Sequence, residues 1–154
     1  MEIRIKKLHP DAIIPSRKHP GDSGLDLHAL LPDGPVNLAP GERQRFRTGI
    51  AIELPTPKVL EDELPELWGY EGQVRPRSGL AAKGIVASLG TVDNGYRGDL
   101  GVTLFNHSFR HFTVRDGDRI AQLVIAPVLY PTVIEVEELS GSERGEAGFG
   151  STGT

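Results

Sequence analysis

Apolar and polar residues alternate with a period of two along most of this chain, the pattern of strands with one face turned inward. Ile3 and Ile5 alternate with Arg4 and Lys6, which predicts an opening strand over residues 2–8, broken by the prolines at 10 and 15. Leu25 and Leu27 flank Asp26 in a short strand and place it on the opposite face. Further strands are predicted over residues 36–38 and 43–54, on either side of the turn pair Pro40-Gly41. Residues 71–84 run from a strand into a short helical turn. Asn94-Gly95 predicts a type I′ β-hairpin, because these residue types tolerate positive φ. Beyond it Leu100, Val102 and Leu104 alternate with Gly101, Thr103 and Phe105. Residues 120–128 form a nearly continuous apolar run, a buried strand interrupted by Gln122, and residues 133–139 close the strand set. The one helix candidate is the acidic, proline-flanked stretch 58–67, within a segment 55–68 read as a surface insertion. The pattern as a whole predicts an all-β fold.

Composition narrows this picture. A chain of 154 residues suits one domain, and nineteen glycines and twelve prolines suit many short strands joined by turns. Without cysteine there is neither a disulfide framework nor a thiolate site, and a cytoplasmic location is expected. No apolar run approaches the ~18 residues of a membrane span. The formal net charge of −4 argues against binding a nucleic-acid backbone but leaves room for a local basic pocket that takes a small polyanion.

Candidate chemistry lies at a few points. Asp93 and Tyr96 bracket the Asn94-Gly95 turn; the carboxylate either caps that turn or serves a reaction, and the ring either covers apolar surface or meets a ligand. Arg77, Ser78 and Gly79 place a guanidinium, a hydroxyl and an unhindered amide together, groups that suit a phosphate as well as an arginine-capped turn. Asp26 is either the solvent side of its strand or a site carboxylate. Gln122 must find hydrogen bonds, with core backbone or with a ligand. The glycine-rich tail, residues 140–154, reads as a mobile terminus, yet it carries Arg144, Phe149 and Ser151, a set suited to closing over a nucleotide. The five histidines read as surface residues and not as a metal set.

Five stretches in order resemble the five motifs of the trimeric deoxyuridine triphosphatase (dUTPase) family. They are Gly21-Asp22-Ser23-Gly24-Leu25-Asp26-Leu27, Arg75-Pro76-Arg77-Ser78-Gly79-Leu80-Ala81, Gly90-Thr91-Val92-Asp93-Asn94-Gly95-Tyr96-Arg97-Gly98, Gly117-Asp118-Arg119-Ile120-Ala121-Gln122-Leu123 and the tail from Arg144 to Gly153. The resemblance implies a distorted jelly-roll-like β-barrel over residues 1–139, assembled as a homotrimer with active sites at subunit boundaries. It implies that the arm 140–154 crosses to a neighbouring subunit and closes the site. The implied reaction is dUTP plus water giving dUMP and diphosphate with Mg²⁺ on the triphosphate, which keeps uracil out of DNA and supplies dUMP for thymidylate synthesis. Asp93 would be the base for the attacking water and hold the sugar 3′-hydroxyl, and Tyr96 would stack under deoxyribose.

By the same resemblance, Arg77, Ser78, Gly79 and Gln122 would hold phosphates, and Asp26 would contact Mg²⁺. The backbone at Ala87 and Gly101 would read uracil, Arg144 and Ser151 would reach the γ-phosphate, and Phe149 would stack on the base. Thr91, Val92 and Gly150 complete the expected substrate-binding set. Ala87 stands where several members place an Asn, and the 55–68 insertion exceeds the usual link. The competing readings are a dCTP deaminase, or a bifunctional deaminase and triphosphatase, on the same scaffold, and a non-catalytic nucleotide-binding module.

Overall fold

The structure, a computed structural model, describes residues 2–55, 58–59 and 67–146. Its elements in chain order are β1 (Arg4–Lys7), β2 (Leu25–His28), β3 (Val36–Leu38), β4 (Arg43–Arg47), β5 (Ile50–Glu53), β6 (Lys58–Val59), β7 (Leu67–Arg75), α1 (Ser78–Ala81), β8 (Ile85–Ala87), β9 (Gly90–Val92), β10 (Gly101–Asn106), β11 (Phe112–Val114) and β12 (Arg119–Tyr130). The fold is all-β, and every strand pair described is antiparallel. The largest sheet runs β2-β12-β7-β6 with β9 also on β7; β4-β10-β8, β1-β5 and β3-β11 form the others.

Period-2 patterning produces these strands because every second side chain reaches one shared core. In β10, Val102, Leu104 and Asn106 are buried and alternate with half-buried Gly101, Thr103 and Phe105. Leu27, Phe46, Ile50, Ile120 and Leu123 join Val102 and Leu104 in a continuous apolar cluster. Each such side chain contributes about 1.5–3 kcal/mol when fully removed from water.

The structure corrects four expectations. Residues 43–54 are two strands in different sheets, parted at Gly49, whose φ of 69° is left-handed. The Asp99 carboxylate fixes that corner by accepting the backbone N–H groups of Thr48 (3.3 Å) and Gly49 (2.9 Å). The strand expected at 133–139 is absent: β12 runs on to Tyr130 and ends before Pro131, which has no N–H to donate. Within residues 58–67, the ends of the helix candidate are instead paired strand, Lys58 opposite Trp68 and Val59 opposite Leu67; residues 60–66 lie outside the described residues. The Asn94-Gly95 turn forms no hairpin. The Tyr96 N–H donates to the Asp93 carbonyl at 3.0 Å, but β9 pairs with β7 and β10 pairs with β4 and β8. Gly95 is not among the glycines with positive φ, so the turn is not type I′. Asn94 acts through its amide, which donates to the carbonyls of Pro55 (2.8 Å) and Tyr70 (3.2 Å) and ties the turn to the body.

Candidate active site: two half-sites

The first half-site is built where β2, β12 and the β7–α1 corner meet. Asp26 on β2 stands opposite Gln122 on β12. Its Oδ1 pairs with Arg77 Nε and its Oδ2 with Arg119 Nη1, both at 3.1 Å. Arg77 Nη1 also donates to the Arg119 carbonyl at 3.1 Å, which locks the two arginines around one carboxylate. Gln122 Nε2 donates to the Pro76 carbonyl at 2.9 Å and fixes the corner from which Ser78 and Gly79 project. Gly24 leaves space for that amide, since a Cβ there would overlap Gln122 Oε1. These residues line a cavity of about 280 Å³ together with Lys18, Asp22 and Ser23. Two arginines and a lysine against two aspartates leave it cationic, and Ser78 and Gly79 open α1, where backbone N–H groups have no partner inside the helix. The cavity suits an oligophosphate.

Arg119 is the main residue that periodicity missed here. Strict alternation from Gln122 puts Ile120, not Arg119, on the Asp26 face. A register shift between Arg119 and Ala121 turns Arg119 back toward Asp26, while Ile120 stays buried.

His28, also on β2, belongs to the same neighbourhood. Its Nδ1 is buried and has no hydrogen-bond partner among the described residues. Burial pushes the imidazole below its ordinary 6.5; Asp26 opposes this, and Arg119 and Arg77 add to it. The folded state therefore binds fewer protons than the unfolded one just below that value, and stability falls as pH drops through 6.5. Thermal melts between pH 7.5 and 5 should show a steeper loss for the wild type than for His28→Phe; equal slopes would contradict this.

The second half-site lies between β9 and the start of β10, a cavity of about 320 Å³ lined by Gly90, Thr91, Val92, Asp93, Tyr96 and Gly101, with Arg45, Val74, Asp99 and Leu100. Its size is at the lower end of small-ligand pockets. Tyr96 OH donates to the Asp99 carbonyl at 3.1 Å, and the phenol lies over Gly98, where a Cβ would strike the ring. Arg97 Nη1 donates to the carbonyls of Asn94 (2.6 Å) and Tyr96 (3.0 Å), so the turn that carries Asp93 is braced on both sides. Asp99 is held by Arg47 Nε at 2.7 Å. Asp93 is different: it is exposed, and no cation among the described residues pairs with it.

The two cavities share no lining residue: Asp93 lines one, and Arg77, Ser78, Gly79 and Gln122 line the other. Ala87 lines neither cavity. It is buried in β8 opposite Leu104, and Gly90, three residues on, reaches the second cavity instead. Arg144 is exposed beside a turn closed by the Gly145 N–H, while Phe149, Gly150 and Ser151 lie outside the described residues.

A cationic cleft and a turn that presents a carboxylate, unpaired among the described residues, beside a phenol coincide with a match of the dUTPase family model to residues 10–153. The chain belongs to the dUTPase family. It is 47% identical over its whole length to a deoxyuridine 5′-triphosphate nucleotidohydrolase of Picosynechococcus, all of which is covered, and 48% identical to that of Crocosphaera subtropica, with 99% of each chain covered. Among solved structures it resembles the dUTPase of Staphylococcus bacteriophage 80alpha with dUPNHPP, at a TM-score of 0.83 and 31% identity over 99% of each chain. A variant dUTPase of phage phi11, described with a structural Mg(II) ion, superposes at 0.75 with 26% identity, over 90% of this chain and 98% of that one. The all-β architecture is thus the jelly-roll fold of this family.

Proposed function

We propose that this member of the dUTPase family hydrolyses dUTP to dUMP and diphosphate, with Asp93 as the base that orients and deprotonates the water attacking the α-phosphorus. The observation that carries this reading is the contrast among the carboxylates of the two half-sites. Asp26 and Asp99 are each held by arginine, whereas Asp93 is exposed and free of any paired cation among the described residues. A carboxylate left unneutralised beside a nucleotide-sized cavity is placed to accept a proton.

Tyr96 would lie against deoxyribose and exclude a 2′-hydroxyl, and backbone at Gly90 and Gly101 would face the uracil edge, a role that the burial of Ala87 leaves to Gly90. Thr91 and Val92 would complete that wall. Arg77, Ser78, Gly79 and Gln122 would bind the phosphates, joined by Arg119, and Arg144, Phe149, Gly150 and Ser151 would close the site from the arm formed by residues 140–154. Such an activity removes dUTP before a polymerase uses it and supplies dUMP for thymidylate synthesis, in keeping with a cytoplasmic location.

The donor set suits Mg²⁺ held mainly by substrate. Among the described residues no group of three or more His, Cys, Asp or Glu forms a cage; Asp26 at the first cavity is paired with Arg77 and Arg119 here and would turn its carboxylate to the ion once phosphate takes up those arginines, and Mg²⁺ commonly takes one or two carboxylates plus phosphates and water. When bound, the ion neutralises charge on the triphosphate.

Separation of the half-sites favours assembly. A phosphate cleft on one subunit facing the nucleoside cavity of another would complete a site, as in a homotrimer. The extended segment after β12 exposes Val133 (91%), Ile134 (76%) and Leu139 (89%), apolar surface that an exchanged arm would bury.

The deciding experiment is diphosphate release from dUTP, dCTP, dTTP and UTP with and without Mg²⁺. Selective, Mg²⁺-dependent release from dUTP is expected; ammonia release from dCTP would favour the deaminase, and binding without turnover would favour the non-catalytic module.

A further inference from the structure

Lys18 precedes the first of the five motifs, yet its side chain lines the first cavity. The loop that carries it is closed at its base, where the Asp26 N–H donates to the Ser16 carbonyl at 2.9 Å. Within the loop Arg17 Nε donates to the Asp22 carbonyl at 2.7 Å. The Asp22 N–H donates to the His19 carbonyl, and Asp22 Oδ2 accepts the His19 N–H, both at 3.0 Å. Bracing on both sides of Lys18 fixes where its stem leaves the chain, while the flexible stem lets the ammonium follow a ligand.

The other cations of this cavity are already committed. Arg77 and Arg119 both pair with Asp26. The Lys18 ammonium has neither an ion pair nor a hydrogen bond among the described residues, and Asp22 spends one carboxylate oxygen on the loop itself. Three cations line the cavity against two carboxylates, so the loss of Lys18 alone would make the lining neutral. The chain as a whole carries a formal net charge of −4. A polyanion approaching a neutral lining would meet no local attraction to offset that repulsion.

Resting on the dUTP reading above, we propose that Lys18 is the capture residue of this enzyme: its free ammonium draws the triphosphate into the first cavity, and the arginines hold it once bound. A cleft with an excess of positive charge focuses the field and raises the encounter rate with an anion, an effect that salt screens. A mobile point charge suits this task, whereas orienting phosphate oxygens suits the planar fork of arginine. Lys18 therefore acts on uptake and on the affinity for any linear oligophosphate, the diphosphate product included, and not on the hydrolytic step.

The test measures kcat and kcat/KM for dUTP from about 20 to about 500 mM ionic strength in wild type, Lys18→Gln, Lys18→Arg and Lys6→Gln, with Kd for inorganic tripolyphosphate by calorimetry. Lys6 is exposed on β1 and lines neither cavity, so its replacement changes the net charge alone. Lys18 is exposed too, and a thermal melt checks that each variant keeps its fold. At about 20 mM, Lys18→Gln should lose about 5- to 20-fold in kcat/KM and in tripolyphosphate affinity, with kcat within about twofold. At about 500 mM the difference should shrink to under about threefold, and Lys18→Arg and Lys6→Gln should track the wild type throughout. Equal salt slopes for wild type and Lys18→Gln, a loss that falls on kcat, or the same loss in Lys6→Gln would overturn the assignment and leave the dUTP reading standing. A wild type that binds tripolyphosphate but does not turn over dUTP would overturn the parent reading instead.

Discussion

Asp93→Asn is expected to lower dUTP turnover by about 10²- to 10⁴-fold, the range of a positioned general base. The side chain is exposed at the end of β9, and its amide isostere keeps the size, so the turn should persist. That turn is held without the carboxylate, by the Tyr96 N–H on the Asp93 carbonyl, by Asn94 on Pro55 and Tyr70, and by Arg97 on the backbone of the turn. An amide accepts no proton from water near neutral pH, so the loss should fall on kcat, while Kd for a non-hydrolysable dUTP analogue changes by less than about tenfold. Turnover and analogue binding measured on one preparation separate these effects. Wild-type kcat in the variant would remove Asp93 from the chemistry, and equal losses in binding and kcat would make it a binding group only.

Asn106→Leu should have the largest effect on stability, about 3–5 kcal/mol, through a mechanism unrelated to the active site. Asn106 is fully buried at the end of β10. Its Nδ2 donates to the carbonyls of Leu38 (2.9 Å) and Arg110 (2.8 Å), and its Oδ1 accepts from the N–H (3.0 Å) and hydroxyl (2.7 Å) of Ser108. Every hydrogen-bonding capacity of the amide is used, and together these bonds fasten β3, β10 and the turn at 107–111. Leucine fills similar space but removes the partners of the buried Leu38 carbonyl and of the Ser108 N–H, each at about 1–3 kcal/mol, while the Arg110 carbonyl keeps the Ser108 hydroxyl at 3.0 Å. A fall in melting temperature on the order of 10 °C is expected by calorimetry. A fall under about 2 °C would mean that water reaches these groups.

Much of the fold was legible because burial on one face imposes a period of two that survives any arrangement of the strands. Leu25 and Leu27, and Val102 and Leu104, declared themselves in this way; the continuous apolar run at 120–128 foretold the strand β12, of which only Ile120, Ala121 and Leu123 are buried. The errors occurred where the partner of a segment decided its conformation. Nothing local in Asn94-Gly95 says that β9 will pair with β7 rather than β10, and nothing in residues 133–139 says that the β12 ladder stops at Tyr130. The register shift that brings Arg119 to Asp26 was equally hidden, since a bulge is set by cross-strand contacts and reverses the face that alternation predicts.

Sequence alone determined the residue chemistry: an all-β chain, an Arg77-Ser78-Gly79 corner with groups that suit an oxyanion, and a turn that carries Asp93 and Tyr96, because these depend on side-chain type and short spacing. Tertiary structure alone decided which charges are already spent. It sets Asp26 between Arg77 and Arg119 and Asp99 beside Arg47, leaves Asp93 without an ion pair among the described residues, buries Ala87, and brings Arg45, from a strand with no motif, onto Gly101. Ion pairing and burial depend on distances between segments remote in the chain, and strand pairing sets those distances.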